Sequence, residues 1–176
     1  QRLFILLALL GSGAALAQSY PAKPIRVVVP FPPGGGTDIV ARTVTPKMAE
    51  ILGQPFVIEN RAGAGGNIGA EVVAKAPPDG YTILMTSGSI VTVNPHMYKQ
   101  LPFDPVKDFI PVTNVASGPQ VVAVHPDVPA KSVKELIALG KANPGKLNFG
   151  SAGIGTQTHM AAENFVNAAG LQATHI

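Results

Sequence analysis

Two hydrophobic patterns alternate along the chain. Short runs dominated by apolar, often β-branched residues occupy positions 25–30, 56–59, 81–86 and 147–150, and between them apolar side chains recur every three or four residues. The runs predict strands and the recurring positions predict amphipathic helices. The first helix carries Val40, Val44, Met48, Ile51 and Leu52 over residues 37–52, is expected to kink or divide at Pro46, and stops at Gly53. A second begins after Asn67, which is positioned to cap it, and places Ile68, Val72 and Ala76 on one face. The order is β-α-β-α-β, which predicts a parallel sheet with helices on its faces and a ligand site beyond the carboxyl ends of the strands.

Beyond residue 93 the pattern loosens, with Asn94-Pro95 and Leu101-Pro102-Phe103-Asp104-Pro105 breaking any long element. Residues 109–115 and 120–125 read as strands leading into a second lobe. Ser132 and Glu135 form a capping box for a helix through Lys141 that buries Val133, Leu136, Ile137 and Leu139. A strand over 147–150, a glycine turn, a helix over 156–169 with Ala162, Phe165, Val166 and Ala169 on one face, and the start of a strand at Ala173 follow. A lobe broken off at the start of a strand reads as part of a longer protein.

Two connections have the same construction. Val29-Pro-Phe-Pro-Pro-Gly-Gly-Gly-Thr-Asp-Ile39 and Gly150-Ser-Ala-Gly-Ile-Gly-Thr156 each join a strand to a helix through glycines. Each gathers free backbone N–H groups at the positive end of a helix dipole, which favours an anion. A third glycine turn, Asn60-Arg-Ala-Gly-Ala-Gly-Gly66, lies between them.

The first 17 residues change how the N-terminus is read. An apolar core at residues 3–10, small residues at 11–14 and Ala15-Leu16-Ala17 form an export signal with cleavage before Gln18; only Arg2 represents the basic n-region. There is no cysteine, so disulfides, thiol nucleophiles and cysteine-held metals are excluded. With 46% hydrophobic and 13% charged residues, a packed core is expected and disorder is not. The net charge of +3 comes from scattered Lys and Arg without a basic patch, which argues against nucleic acid as a partner.

Candidate chemistry narrows in the same way. Gly140-Lys-Ala-Asn-Pro-Gly-Lys146 fits the spacing of a phosphate loop, but a helix precedes it, a strand follows, and Leu147 stands where Ser or Thr is needed. A hydrolase would draw on Ser151, His159 and Asp38, yet Phe149 occupies the first glycine position of a nucleophile elbow. The four histidines, at 96, 125, 159 and 175, show no metal-binding spacing; His159, one turn into its helix, is either a packed residue or a ligand contact.

Several motifs together carry a resemblance. Pro24-Ile-Arg-Val-Val-Val-Pro-Phe-Pro-Pro-Gly-Gly-Gly-Thr-Asp38, Glu59-Asn-Arg-Ala-Gly-Ala-Gly-Gly-Asn-Ile-Gly69, Pro78-Asp-Gly-Tyr-Thr82, Leu101-Pro-Phe-Asp-Pro-Val-Lys-Asp-Phe109, Ala142-Asn-Pro-Gly-Lys-Leu147 and the turn from Gly150 to His159 resemble the Bug-type substrate-binding proteins of tripartite tricarboxylate transporters. Ala62, where proline is usual, and Pro46 depart from that pattern. The resemblance implies an α/β, two-lobed, type II periplasmic-binding-protein-like fold with parallel-rich sheets flanked by helices. The chain then divides into a leader (1–17), a first lobe (18–115) and a truncated second lobe (116–176).

It further implies a bacterial, periplasmic, monomeric, non-enzymatic protein without metal or cofactor. Such a protein captures a small mono-, di- or tricarboxylate for membrane permease subunits. Carried over by position, the ligand-binding residues are Phe31, Gly34, Gly35, Gly36, Thr37 and Asp38 in the first turn, and Gly150, Ser151, Ala152, Gly153, Gly155, Thr156 and His159 in the second. Ser87 and Ser89 are candidates for the distal end of the ligand. The alternatives are a secreted α/β hydrolase using Ser151 and His159, and a ligand-sensing subunit for a membrane receptor.

Overall fold

The computed structural model describes residues 20–176, so the export signal expected over residues 1–17 lies outside the described residues. Two parallel sheets carry the architecture. In the first, β1 (Ile25–Val29) lies between β2 (Phe56–Asn60) and β3 (Thr82–Leu84), in the order β2-β1-β3. The register aligns Val29 with Asn60 and Val28 with Leu84, so all three strands end at the same edge.

The central position of β1 explains its composition. Val27, Val28 and Val29 are fully buried, each contributing roughly 2 kcal/mol. Helix α1 (Gly36–Leu52) packs across β1 and β2, and α2 (Asn67–Ala74) across β1 and β3. Val27, Val29, Phe31 and Ala41 form one core cluster with Phe56, Ile58, Ile83 and Met85 around it. Ala70, Ile90 and Phe103 form another, closed by Leu84, Leu101 and Phe109.

After β3 come two short helices, α3 (Ser89–Thr92) and α4 (Asn94–Met97). Further on, α5 (Val133–Ala142) leads to β4 (Leu147–Phe149), α6 (Gln157–Ala169) and β5 (Ala173–His175), which pairs in parallel with β4. Ser132 caps α5 as expected, its Oγ accepting the Glu135 N–H at 3.2 Å, while Glu135 Oε2 reaches one residue past the cap to accept the Lys131 N–H at 2.8 Å.

The structure departs from the sequence pattern at several points. Helix α1 runs through Pro46 without dividing. Pro46 and Arg42, whose carbonyl loses its intrahelical donor, both lie on the exposed face, so that carbonyl is not left unpaired in the core. Asn67 does not cap α2; it is buried in the first helical position and its Oδ1 accepts from Asn94. The buried face of α2 is Gly69 and Ala70, with Ile68 exposed, because the sheet requires a close approach. A Cβ on Gly69 would come within 2.7 Å of Pro30 Cβ and 2.9 Å of the Arg61 carbonyl.

Val133 is exposed, and α5 instead turns Gly140 inward against Leu147 and Leu171. Residues 109–115 and 120–125 form no strand; Ile110 and Val112 are 88% and 89% exposed. Strand propensity is realised only when a neighbouring strand supplies hydrogen bonds and a packed face, and among the described residues none does.

Candidate functional site

The first turn leaves the carboxyl end of β1 at the Phe31 ring, which is 9% exposed. Gly34 takes a φ of +80°, a value that favours glycine, and the chain then enters α1 with Gly35 as its N-cap and no side-chain cap. The turn is braced from inside by Asp38. Its Oδ2 accepts the Gly34 N–H at 2.8 Å and Arg42 Nε at 2.9 Å, while its Oδ1 accepts Asn60 Nδ2 at 3.0 Å. The same Asn60 nitrogen donates to the Phe31 carbonyl at 3.0 Å, and Arg42 Nη2 donates to Asn60 Oδ1 at 3.2 Å.

The hydrogen bond from Arg42, followed by those from the Gly34 N–H and Asn60, holds the Asp38 carboxyl down to about 2. Asp38 is therefore ionised and buried, with its oxygens committed to its own turn. The N–H groups of Gly36 and Thr37 precede any intrahelical acceptor and project from the helix end. Gly36 has no positive φ, and a Cβ on it would meet nothing within 4 Å. Its side chain is missing where the protein itself has room for one.

The second turn is braced without a carboxylate. Thr156 is the N-cap of α6 and is 3% exposed; its hydroxyl accepts the His159 N–H at 3.3 Å and donates to the Gly153 carbonyl at 2.6 Å. Thr158 Oγ1 accepts the Ala152 N–H at 3.1 Å. Gly153 and Gly155 take φ of +121° and +83°, and the Gly155 N–H donates to His159 Nδ1 at 3.4 Å. The other ring nitrogen, Nε2, lies 3.6 Å from Glu163 Oε1. His159 is thus packed and hydrogen-bonded within its own turn.

Ser151 pairs with His175, not with His159. Its Oγ lies 2.8 Å from His175 Nε2 and accepts the Gly153 N–H at 3.1 Å. The rings of His159 and His175 meet edge to face with centroids 4.5 Å apart. The constellation of Ser151, His159 and Asp38 is not assembled, since Asp38 is bound to Arg42 and Asn60 in the first turn.

Ser87 and Ser89 join each other at 2.8 Å, with Ser89 fully buried at the start of α3. The third glycine turn bridges the other two. A Cβ on Gly66 would approach Phe31 Cζ to 3.4 Å, and one on Gly65 would approach the Ile154 carbonyl to 3.0 Å.

Four contributors escaped the sequence reading: Asn60, which ties the first turn to β2; His175, which holds Ser151; and Asn94 and Tyr98, which lie between the third turn and the second. Asn60 had a visible signal, because it ends the strand beside β1 and a small polar residue there faces the same sheet edge. Among the described residues there is no cluster of three or more metal-ligating side chains, and no helix long and apolar enough to cross a membrane. A recess of about 480 Å³ lined by Val124, His125, Pro129 and Glu135 shares no residue with the glycine turns.

Comparison with known proteins places this arrangement. The structure of R. palustris Rpa4515 with adipate superposes at a TM-score of 0.87 with 37% identity, over 89% of this chain and 52% of that one. MatC (Rpa3494) from Rhodopseudomonas palustris with bound malate gives 0.72 with 30% identity, over 89% and 53%. A UPF0065 protein of Bordetella pertussis is 46% identical over 176 residues, all of this chain and 54% of that protein. The chain therefore spans about half the length of the relatives it matches.

Fold and paired turns define the class: a two-lobed α/β protein of the periplasmic-binding type. The model for the tripartite tricarboxylate transporter family receptor, TctC, matches residues 40–176, and the chain belongs to that family, which is one of solute receptors and not of enzymes.

Proposed function

We propose that this protein captures a small carboxylate between its two glycine turns. Residues 18–115 form one lobe and the segment from 116 onward the other, and the protein acts in the bacterial periplasm as a monomer that hands its ligand to membrane permease subunits. The observation that carries the reading is Gly36: among the described residues neither its N–H nor that of Thr37 finds an acceptor, and a side chain on it would meet only open space. An anion there gains backbone donors and the α1 dipole without a lysine or arginine.

Phe31 and Gly34–Asp38 form one wall, with Asp38 shaping the turn from behind. Gly150–Gly153, Gly155, Thr156 and His159 form the other, and Ser87 faces the distal end with Ser89 buried behind it. Adipate and malate, bound by the two structural relatives, indicate the ligand's size and charge.

The test is thermal unfolding against a panel of mono-, di- and tricarboxylates that includes adipate and malate. A true ligand at 100 times its Kd adds about 2.7 kcal/mol of stability. A flat response across the panel, from protein shown by native mass spectrometry to be ligand-free, overturns the reading.

A further inference from the structure

Between the third glycine turn and the second lies a pair of side chains to which no ligand role falls. Asn94 and Tyr98 project from α4 and the residue after it, one helical turn apart, joined by the Tyr98 N–H donating to the Asn94 carbonyl at 3.0 Å. Asn94 is fully buried. Its Nδ2 donates to the Gly65 carbonyl at 3.2 Å and to Asn67 Oδ1 at 2.6 Å, which fixes the amide on the first-lobe glycine turn. Oδ1 then has to face the other way, towards Gly155, and it is a buried side-chain atom without a hydrogen-bond partner. Leaving a buried acceptor unpaired is costly, so a geometric demand holds the amide in place.

Tyr98 meets the second turn from the same side. Its hydroxyl donates to the Ile154 carbonyl at 3.4 Å. A Cβ on Gly155 would lie 3.4 Å from both Tyr98 Cε2 and Asn94 Oδ1, and a Cβ on Gly65 would strike Tyr98 Oη at 2.7 Å. Gly65 and Gly155 also take φ of +64° and +83°. The second and third turns, from opposite lobes, are therefore seated on one pair of side chains, and glycine is required on both by conformation and at Gly65 by space as well.

We propose that Asn94 and Tyr98 are positioning residues that clamp the second glycine turn against the third, whose Gly66 backs on Phe31, and so set the width of the cleft before any ligand arrives. Its consequence for binding rests on the carboxylate reading, since a preset cleft spares the ligand the cost of ordering the two walls. The clamp itself does not depend on that reading.

Because the chain has no cysteine, Lys47→Cys on α1 and Asn164→Cys on α6, both exposed, accept spin labels at two unique sites. Pulsed dipolar distances are recorded without carboxylate. One narrow distance distribution is expected, broadened by Tyr98→Leu, broadened also by Gly155→Ala in the buried part of the second turn, and kept narrow by Tyr98→Phe, which retains the ring. Circular dichroism checks the fold of each variant; should Tyr98→Leu not fold, Gly155→Ala decides.

A broad distribution in the labelled parent, or a distribution that none of these variants changes, overturns the proposal. Adipate or malate titrations add a separate reading: about tenfold weaker binding in Tyr98→Leu with binding retained in Tyr98→Phe. A parent that binds neither ligand yet keeps the narrow distribution contradicts the carboxylate reading and leaves the clamp standing.

Discussion

The two glycine turns share a strand-to-helix construction and differ in what braces them. The first is organised around one buried charge, Asp38, held by Arg42, Asn60 and the Gly34 N–H. The second has no carboxylate within its turn and is held by the hydroxyls of Ser151, Thr156 and Thr158 and by two imidazoles. The two turns therefore differ in what they leave over: in the second, the N–H groups of Ala152, Gly153, Gly155 and Thr156 are all taken by acceptors of the turn and its helix. An ionised carboxylate orients several donors at once but disfavours an anion nearby, and Arg42 offsets that charge. Braces without a carboxylate add no such repulsion and depend on more, weaker bonds.

The backing of each turn differs as well. Gly69→Ala drives a methyl into Pro30 and the Arg61 carbonyl behind the first turn, where backbone cannot yield, and is expected to cost about 3 kcal/mol in urea unfolding. An unchanged midpoint would show that α2 has slack against β1. The matching change in the second lobe, Gly140→Ala, meets only the ends of Leu147 and Leu171 and is the mildest of the set.

Asp38→Asn comes next, lowering the melting temperature by several degrees through the loss of the Arg42 pair. It also carries a pH signature. The folded-state value of about 2 lies below the ordinary value of 3.8, so the ionised group contributes stability that is fully present above about pH 4 and lost as pH falls through about 2. Acid titration of the parent should show this limb, and in Asp38→Asn it should be reduced. Identical acid limbs would mean that the brace of the first turn is not electrostatic.

Thr156→Val removes the cap of α6 and the bond to the Gly153 carbonyl at a cost of about 1 kcal/mol, insensitive to pH over the same range. Gly140→Ala follows with a change within about 0.5 kcal/mol, because the gain in helix propensity offsets the repacking. A larger loss there would place the second lobe's helix packing on the same footing as the first's.

The sequence made the β-α-β-α-β order legible because β1 is buried on both faces and its helices are long enough to repeat. It also exposed both turns through their glycines, and the Ser132 cap of α5. What it hid depends on register or distant partners. Asn67 has the composition of a cap but is drawn inward by Asn94, 27 positions away. Pro46 has the signature of a break, but lies on the exposed face, so the freed carbonyl is not left unpaired in the core. Residues 109–125 have strand composition, but composition cannot name the neighbour a strand needs. Ser151 was legible as a turn residue, whereas its partner His175 is 24 positions away on a neighbouring strand.

The central claim is that the open space before Gly36 belongs to a carboxylate. Gly36→Ala tests it most directly, because its backbone suits alanine and its added methyl touches nothing in the protein. Calorimetric titration of adipate and malate should show affinity reduced at least about tenfold, roughly 1.4 kcal/mol, with the melting temperature of the free protein unchanged. Binding as tight in Gly36→Ala as in the parent, or no binding of either acid by the parent, would contradict it.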